Sequence, residues 1–421
     1  MTTTVARRRR TVWGLACLAT LALAACQGGS QAGAPSVGPT TTLPTTAQTT
    51  APGRATTAPP SILSTPLPYA ADRAGMVTGA ARSARSLVYV PSQVAGTVQV
   101  IDPHTYGVVG RYPVARSPEH VVPSHDLSTL WVNSDTGNIM TPIDPKTGRL
   151  GSPVDVFDPY NLYFSPDGRY AIVMAERARA LEIRDAHTMA PVRNVPVDCY
   201  GVNHADFTAD LRTMVASCEF SGVLVVIDPA LTHVVKTIDL NSVATPGPTD
   251  ADMARSMGGP AGFLRPGASA MPQDVRLAPD GKHFLVADML RNGVWVIDAK
   301  TFTVTRFVHT GKGAHGIYFS RDATKVYVSN RDEGTVSVLD AATLEQSGLW
   351  RIPGGGSPDM GSVSADGREL WLSGRYSSVV YVFDTTTGAV THQIPVDAGP
   401  HGLLVWPQPG RFSLGHTGNM R

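Results

Sequence analysis

From residue 86 onward hydrophobic and polar positions alternate in short runs separated by polar turns, the pattern of β-strands. One unit recurs: an alternating strand, a short turn, then a strand ending in Ile, Leu or Phe followed by Asp. The clearest copy is KVYVSNRDEGTVSVLDAAT from Lys325, and others begin at Leu87, Phe284 and Leu370. The aspartates that close the unit are Asp102, Asp144, Asp185, Asp228, Asp298, Asp340 and Asp384, spaced by 42, 41, 43, 70, 42 and 44 residues. A repeat of about 40–45 residues built from alternating strands predicts propeller blades of four strands each. Each blade has two apolar faces that only neighbouring blades can cover, so the array closes into a ring.

A second motif lies between copies of the first: a polar start, four alternating residues, then S-x-D-G or a relative. It appears as NLYFSPDG from Asn161, DVRLAPDG from Asp274, HGIYFSRDA from His315, MGSVSADG from Met360 and finally HGLLVW from His401. This is the innermost strand of each blade. The repeat region opens with a second strand (Leu87) and ends with an inner one (His401–Trp406), and pairing the two leaves no open edge. The expected fold is therefore all-β: a seven-bladed β-propeller over 86–410, with a C-terminal inner strand closing blade one. Residues 69–85 are expected as a lead-in and 411–421 as a tail.

VYVSNRDEGTVSVLD and GAHGIYFSRDATKVYVSN closely resemble the YVTN-type, YncE-like seven-bladed propeller family, and the likeness covers roughly residues 86–406. The resemblance speaks for the fold. The architecture is shared with lactonases and with haem-binding propellers, so function has to be argued from the site.

Inner strands line a central tunnel, and their first residues ring its mouth. Aligning the copies brings Glu119, Tyr160, Asn203, Gln273, His315, Asp359 and His401 to one level, with His120, Asn161, His204, Asp274, Gly316, Met360 and Gly402 at the next. The candidate ligand or metal ring is Glu119, His120, Asn203, His204, Asp274, His315, Asp359 and His401. Imidazoles and carboxylates suit a transition metal, and carboxylates with amide oxygens suit calcium. The same groups equally orient a polar ligand, or hydrogen-bond across a water-filled tunnel. The 70-residue spacing holds an insertion at about 241–270 on the same face, whose Arg255 and Arg265 mark it as a candidate lid. Trp131, Trp295 and Trp371 read as core.

Composition narrows the classes further. Of 421 residues 42% are hydrophobic, enough for a sizeable core, and the formal net charge is +1. Four of the arginines lie at Arg7–Arg10, and beyond residue 25 the balance turns slightly acidic, which argues against a nucleic-acid partner. Residues 1–25 read as an export signal: a basic start, then an apolar run of 15 residues (11–25), short of the roughly 20 a spanning helix needs. It ends in Leu23-Ala24-Ala25-Cys26, which resembles the bacterial lipobox and implies lipidation of Cys26, palmitate-type acyl chains and a membrane anchor facing the extracytoplasmic side. Arg9-Arg10 also fits a twin-arginine signal. Residues 26–68 are a Thr- and Pro-rich tether with too few bulky apolar residues to fold.

Cysteine use agrees with export. Cys199 precedes one inner strand and Cys218 ends the next strand, so an antiparallel hairpin places them side by side and predicts a disulfide. No Walker loop, GxSxG, HExxH or CxxCH occurs. The expected function is that of a monomeric cell-envelope lipoprotein that binds a small ligand, metal or protein partner at the tunnel mouth. A lactonase-like hydrolase with a metal on Glu119, Asn203 and Asp274, and a haem- or redox-cofactor-handling propeller using His120, His204, His315 or His401, are the alternatives.

Overall fold

The structure, a computed structural model, describes residues 67–245 and 264–421. All of them belong to one unit, 59–421. They form seven antiparallel sheets arranged as a β-propeller. Blade one pairs Leu404–Trp406, Leu87–Ser92, Thr97–Asp102 and Gly107–Pro113 from the axis outward. The closing register is Leu87 opposite Trp406, Val88 opposite Val405 and Tyr89 opposite Leu404. Blades three to seven each run outward through four consecutive strands, beginning at Pro159, Val202, Pro272, Ala314 and Pro358. In blade two, which begins at Pro118, the outermost strand is split into Arg149–Leu150 and Val154–Asp155, both paired with Ile139–Asp144.

The three inner strands of a blade are almost wholly buried, as in PQDVRL, HFLVAD and GVWVID of blade five. Outermost strands such as VVKTID and VTRFVH are largely exposed and carry charged residues, which blunts the outer sheet edges. Apolar side chains interdigitate between neighbouring blades. Trp295, for example, packs with Val275, Phe284 and Val226 in the seam between blades four and five. Trp131 and Trp371 are buried in other seams, as expected of core residues.

The repeated aspartate turns out to be turn chemistry. The Asp298 carboxylate accepts the backbone N–H groups of Lys300 and Thr301 and the Thr301 hydroxyl. Asp144, Asp185, Asp340 and Asp384 do the same with their own following residues. These bonds stabilise the ionised form and hold the Asp298 carboxyl below its usual range. The motif therefore reports on folding, not on a site.

Two terminal stretches are more deeply involved than expected. The lead-in runs under the propeller: the Tyr69 hydroxyl donates to Leu277 O (2.6 Å), and Asp72 pairs with Arg321. Residues 411–421, expected as a tail, fold into the lower tunnel instead. Leu414 and Met420 are buried, Tyr163 and Gly415 form an antiparallel bridge, and the Arg421 guanidinium bonds Asp206 at 2.7 Å. Gly415 is required there, because a Cβ would lie 2.3 Å from Leu162 O and 2.5 Å from Tyr163 Cα at φ +111°.

Candidate functional site

The inner strands of blades two to seven break their register near their first residues. In blade four Val202 opposes Cys218 and Ala205 opposes Ala216, so Asn203 and His204 together face the single residue Ser217. The Ser217 hydroxyl ties this bulge down, donating to Asn203 Oδ1 and lying 3.3 Å from the His204 N–H. The same two-against-one step frees Gln273 and Asp274, His315 and Gly316, and Asp359 and Met360. Bulges re-aim side chains where a function needs them. Here they separate an upper from a lower tier of side chains, the two levels into which the aligned copies divide.

The upper tier floors a cavity of about 920 Å³ at the mouth. Glu119 accepts from Gln93 Nε2 (2.6 Å) and His401 Nδ1 (2.9 Å), with Arg375 Nη1 at 3.5 Å. Asp359 faces His315 Nδ1 (2.9 Å), Arg331 Nη1 (3.6 Å), His401 Nε2 (3.6 Å) and Arg375 Nε (4.0 Å). Asn203 Nδ2 donates to Glu219. The lower tier comprises His120, His204 and Asp274, below the cavity floor and against the C-terminal segment. The trio expected for a lactonase-like metal is not presented as a set. Glu119 serves His401 and Gln93, Asn203 serves Ser217 and Glu219, and Asp274 accepts from Arg276 and the Ile317 N–H.

A second ring of lining residues was missed by reading the inner strands alone. The residue just after the second strand of each blade faces the cavity: Gln93, Asp135, Glu176, Glu219, Met289, Arg331 and Arg375. The signal lay in the repeat itself, since all seven occupy one slot of the aligned unit. They divide by charge. Acids come from blades two to four and arginines from blades six and seven, with Tyr160, Tyr200, Phe220 and Tyr376 supplying apolar wall.

The electrostatics follow from burial. Burial and the neighbouring Glu219 and Asp135 push Glu176 well above the usual carboxyl range. Burial raises Glu219 to about 7, and burial with a hydrogen bond to Asp158 raises Asp135 to about 7. Burial also raises Glu119. Asp359 is the exception: burial opposes its charge, but the Arg331 guanidinium and its other cationic neighbours hold it well below the usual range. His315 falls to about 4 through burial and Arg331, so its ring is neutral.

Cys199 and Cys218 form the expected disulfide, with Cα atoms 5.9 Å apart, beside the lining residues Tyr200 and Glu219. Of the insertion, Arg255 lies outside the described residues, as does Cys26. The Arg265 N–H donates to the carbonyl of Phe220, a lining residue. Asn241 fastens the base of the insertion, its Oδ1 accepting from Ser269 and Ala270 and its Nδ2 donating to Ser221 and Gly222.

The sequence model of the YNCE-like β-propeller family matches residues 58–193 and 257–410. The chain belongs to this family. No curated protein is significantly similar to it. Many solved structures share the fold. The Kuenenia stuttgartiensis hydrazine synthase is 18% identical with a TM-score of 0.57, over 75% of this chain and 96% of that one. A dihydro-heme d1 dehydrogenase, NirN, solved in complex with DHE, is 17% identical with a TM-score of 0.53, over 79% and 76%. A functionally unknown protein from Desulfotomaculum acetoxidans DSM 771 is 16% identical with a TM-score of 0.57, over 75% and 98%. At these identities the likeness is one of fold.

Proposed function

We propose that this YNCE-like propeller is a binding module whose mouth takes a small molecule carrying both an anionic and a cationic group, such as an amino acid or short peptide. The observation that carries the reading is the ring of residues after each second strand, which sets Arg331 and Arg375 on one side of the mouth and Asp135, Glu176 and Glu219 on the other; Arg177 and Arg179 also line the carboxyl side, where Arg177 pairs with Asp135, and Glu119 and Asp332 lie on the arginine side. Arg331 Nε is buried without a hydrogen-bond partner and Arg375 Nη1 has only its 3.5 Å ion-pair contact with Glu119, so a ligand carboxylate would add acceptors that these guanidinium groups lack. A ligand ammonium draws protons off the raised carboxyls opposite. Tyr160, Tyr200 and Tyr376 supply apolar contact around it.

Calorimetric titration with zwitterions, and with matched ligands carrying one charge only, tests the reading. Zwitterions should bind at least tenfold tighter, with Arg331→Gln removing the preference for the carboxylate. Equal binding of singly charged ligands overturns it. Envelope anchoring belongs to the same proposal and rests on the Leu23–Cys26 motif. A Cys26→Ser chain should leave the membrane fraction, and retention there refutes anchoring through that thiol.

A second reading has one observation in its favour. His315 turns Nδ1 toward Asp359 at 2.9 Å and lines the cavity, the carboxylate–imidazole arrangement that prepares an axial ligand. The dihydro-heme d1 dehydrogenase NirN, similar in fold, gives that reading a chemical class. Absorbance titration of the purified protein with haem decides it, and an unshifted Soret band dismisses it.

A further inference from the structure

We infer that His120, His204 and His416 form a transition-metal centre in the lower tunnel, with Asp274 as a fourth donor. This inference is independent of the ligand proposed for the mouth. The three imidazoles arrive from an inner strand of blade two, an inner strand of blade four and the C-terminal segment. Their ring centroids lie 5.5, 5.1 and 4.9 Å apart, and one donor nitrogen of each is within 4.8 Å of the others. All three are buried.

The outward nitrogens are already held. His120 Nδ1 lies 3.1 Å from Tyr160 O, and Asn161 Nδ2 lies 3.2 Å from His204 Nδ1 and 3.0 Å from His416 Nδ1. The remaining nitrogens, Nε2 of all three rings, are buried with no hydrogen-bond partner. Such orphaned groups are costly and rare, and three in one cluster call for a shared occupant. Asp274 Oδ1 is orphaned as well and stands 3.8 Å from His416 Nε2. Its other oxygen accepts from Arg276 and the Ile317 N–H, which fixes the carboxylate's orientation.

The donor set selects the ion. Three imidazoles and one carboxylate match four-coordinate zinc and its first-row neighbours, whereas calcium and magnesium ask for oxygen. The other cluster, His315, Asp359 and His401, has two arginines on its carboxylate, Arg331 at 3.6 Å and Arg375 at 4.0 Å, against the one, Arg276 at 3.2 Å, on Asp274. Metal on Nε2 places each ring proton on Nδ1. Asn161 must then turn its amide to present oxygen to His204 and His416, giving up its present bonds to Asn203 O and the Leu162 N–H. The backbone is shaped for this delivery: His416 sits at φ +50°, and its N–H donates to Leu162 O. The ion would clasp the C-terminal segment to the inner strands.

The purified protein, stripped with a chelator and then given Zn(II) or Co(II), tests the assignment. About one ion should be retained per chain, with d–d absorption for Co(II) typical of a nitrogen-rich four-coordinate site. His204→Gln and His416→Gln should each weaken retention at least tenfold, and His315→Gln should leave it unchanged. Wild-type melting should rise with Zn(II) and not with Ca(II), a readout that stands even where a variant fails to fold. No uptake by the wild type, undiminished uptake by His416→Gln, or loss in His315→Gln alone overturns the inference.

Discussion

Replacing Arg421 with Ala probes how far the C-terminal segment belongs to the folded unit. The Arg421 side chain is 4% exposed and bonds Asp206 Oδ1 at 2.7 Å, and its guanidinium stacks 4.8 Å from the Tyr69 ring. Asp206 is fully buried, so removing its cation leaves an uncompensated charge. Breaking such a pair costs about 3–5 kcal/mol. Asp206 keeps the backbone N–H donors of Phe207 and Leu277, which places the cost at the low end, about 3 kcal/mol. For a cooperative unit of about 340 residues the unfolding entropy is about 0.7 kcal/mol/K, so the melting temperature should fall by about 4 °C. Differential scanning calorimetry measures this directly. In an Asp206→Asn background the same substitution should cost less than half as much, because the stranded charge is gone. A shift below about 1 °C, or the same cost in both backgrounds, would refute the pairing argument.

Other outcomes follow from the mouth. Glu219 and Asp135 titrate near 7 when folded and near 4 when unfolded, so the native state holds more protons between those values. Their contribution to stability is greatest below pH 4 and is lost as the pH rises through 7; melting curves at pH 5 and pH 8 should differ less for Glu219→Gln than for the wild type. Replacing Cys199 and Cys218 together by Ser opens a loop with a separation of 19 residues, costing about 3 kcal/mol by denaturation and weakening ligand binding beside Tyr200. Asn241→Ala removes five side-chain bonds, four of them at the base of the insertion and one to Asp239; it should cost about 2 kcal/mol and speed hydrogen exchange at Ser269 and Ala270, and unchanged exchange there would count against the staple.

The ring of blades, its closure and the disulfide were legible because alternation and spacing are properties of the chain itself. Register is not. The two-level order of Asn203 and His204 was legible, but the bulge that sets both opposite the single residue Ser217 arises from pairing, and one strand read alone does not show it. Arg331 and Arg375 each follow the second strand of a blade, and only the convergence of the blades around the axis brings them to the cavity. His416 was the hardest to see: RFSLGHTGNMR has neither alternation nor helical spacing, and its burial depends on glycine contacts that exist only once the tunnel has formed.

Closure of blade one by Leu404–Trp406 has a consequence for biogenesis. Leu87–Ser92 is among the earliest strands to leave the ribosome, yet its axial partner is among the latest. Until then one flank of that hairpin is a sticky template, and the nascent chain depends on chaperoning or on holding an unfinished circle open. Truncated products should accordingly aggregate rather than persist as smaller propellers.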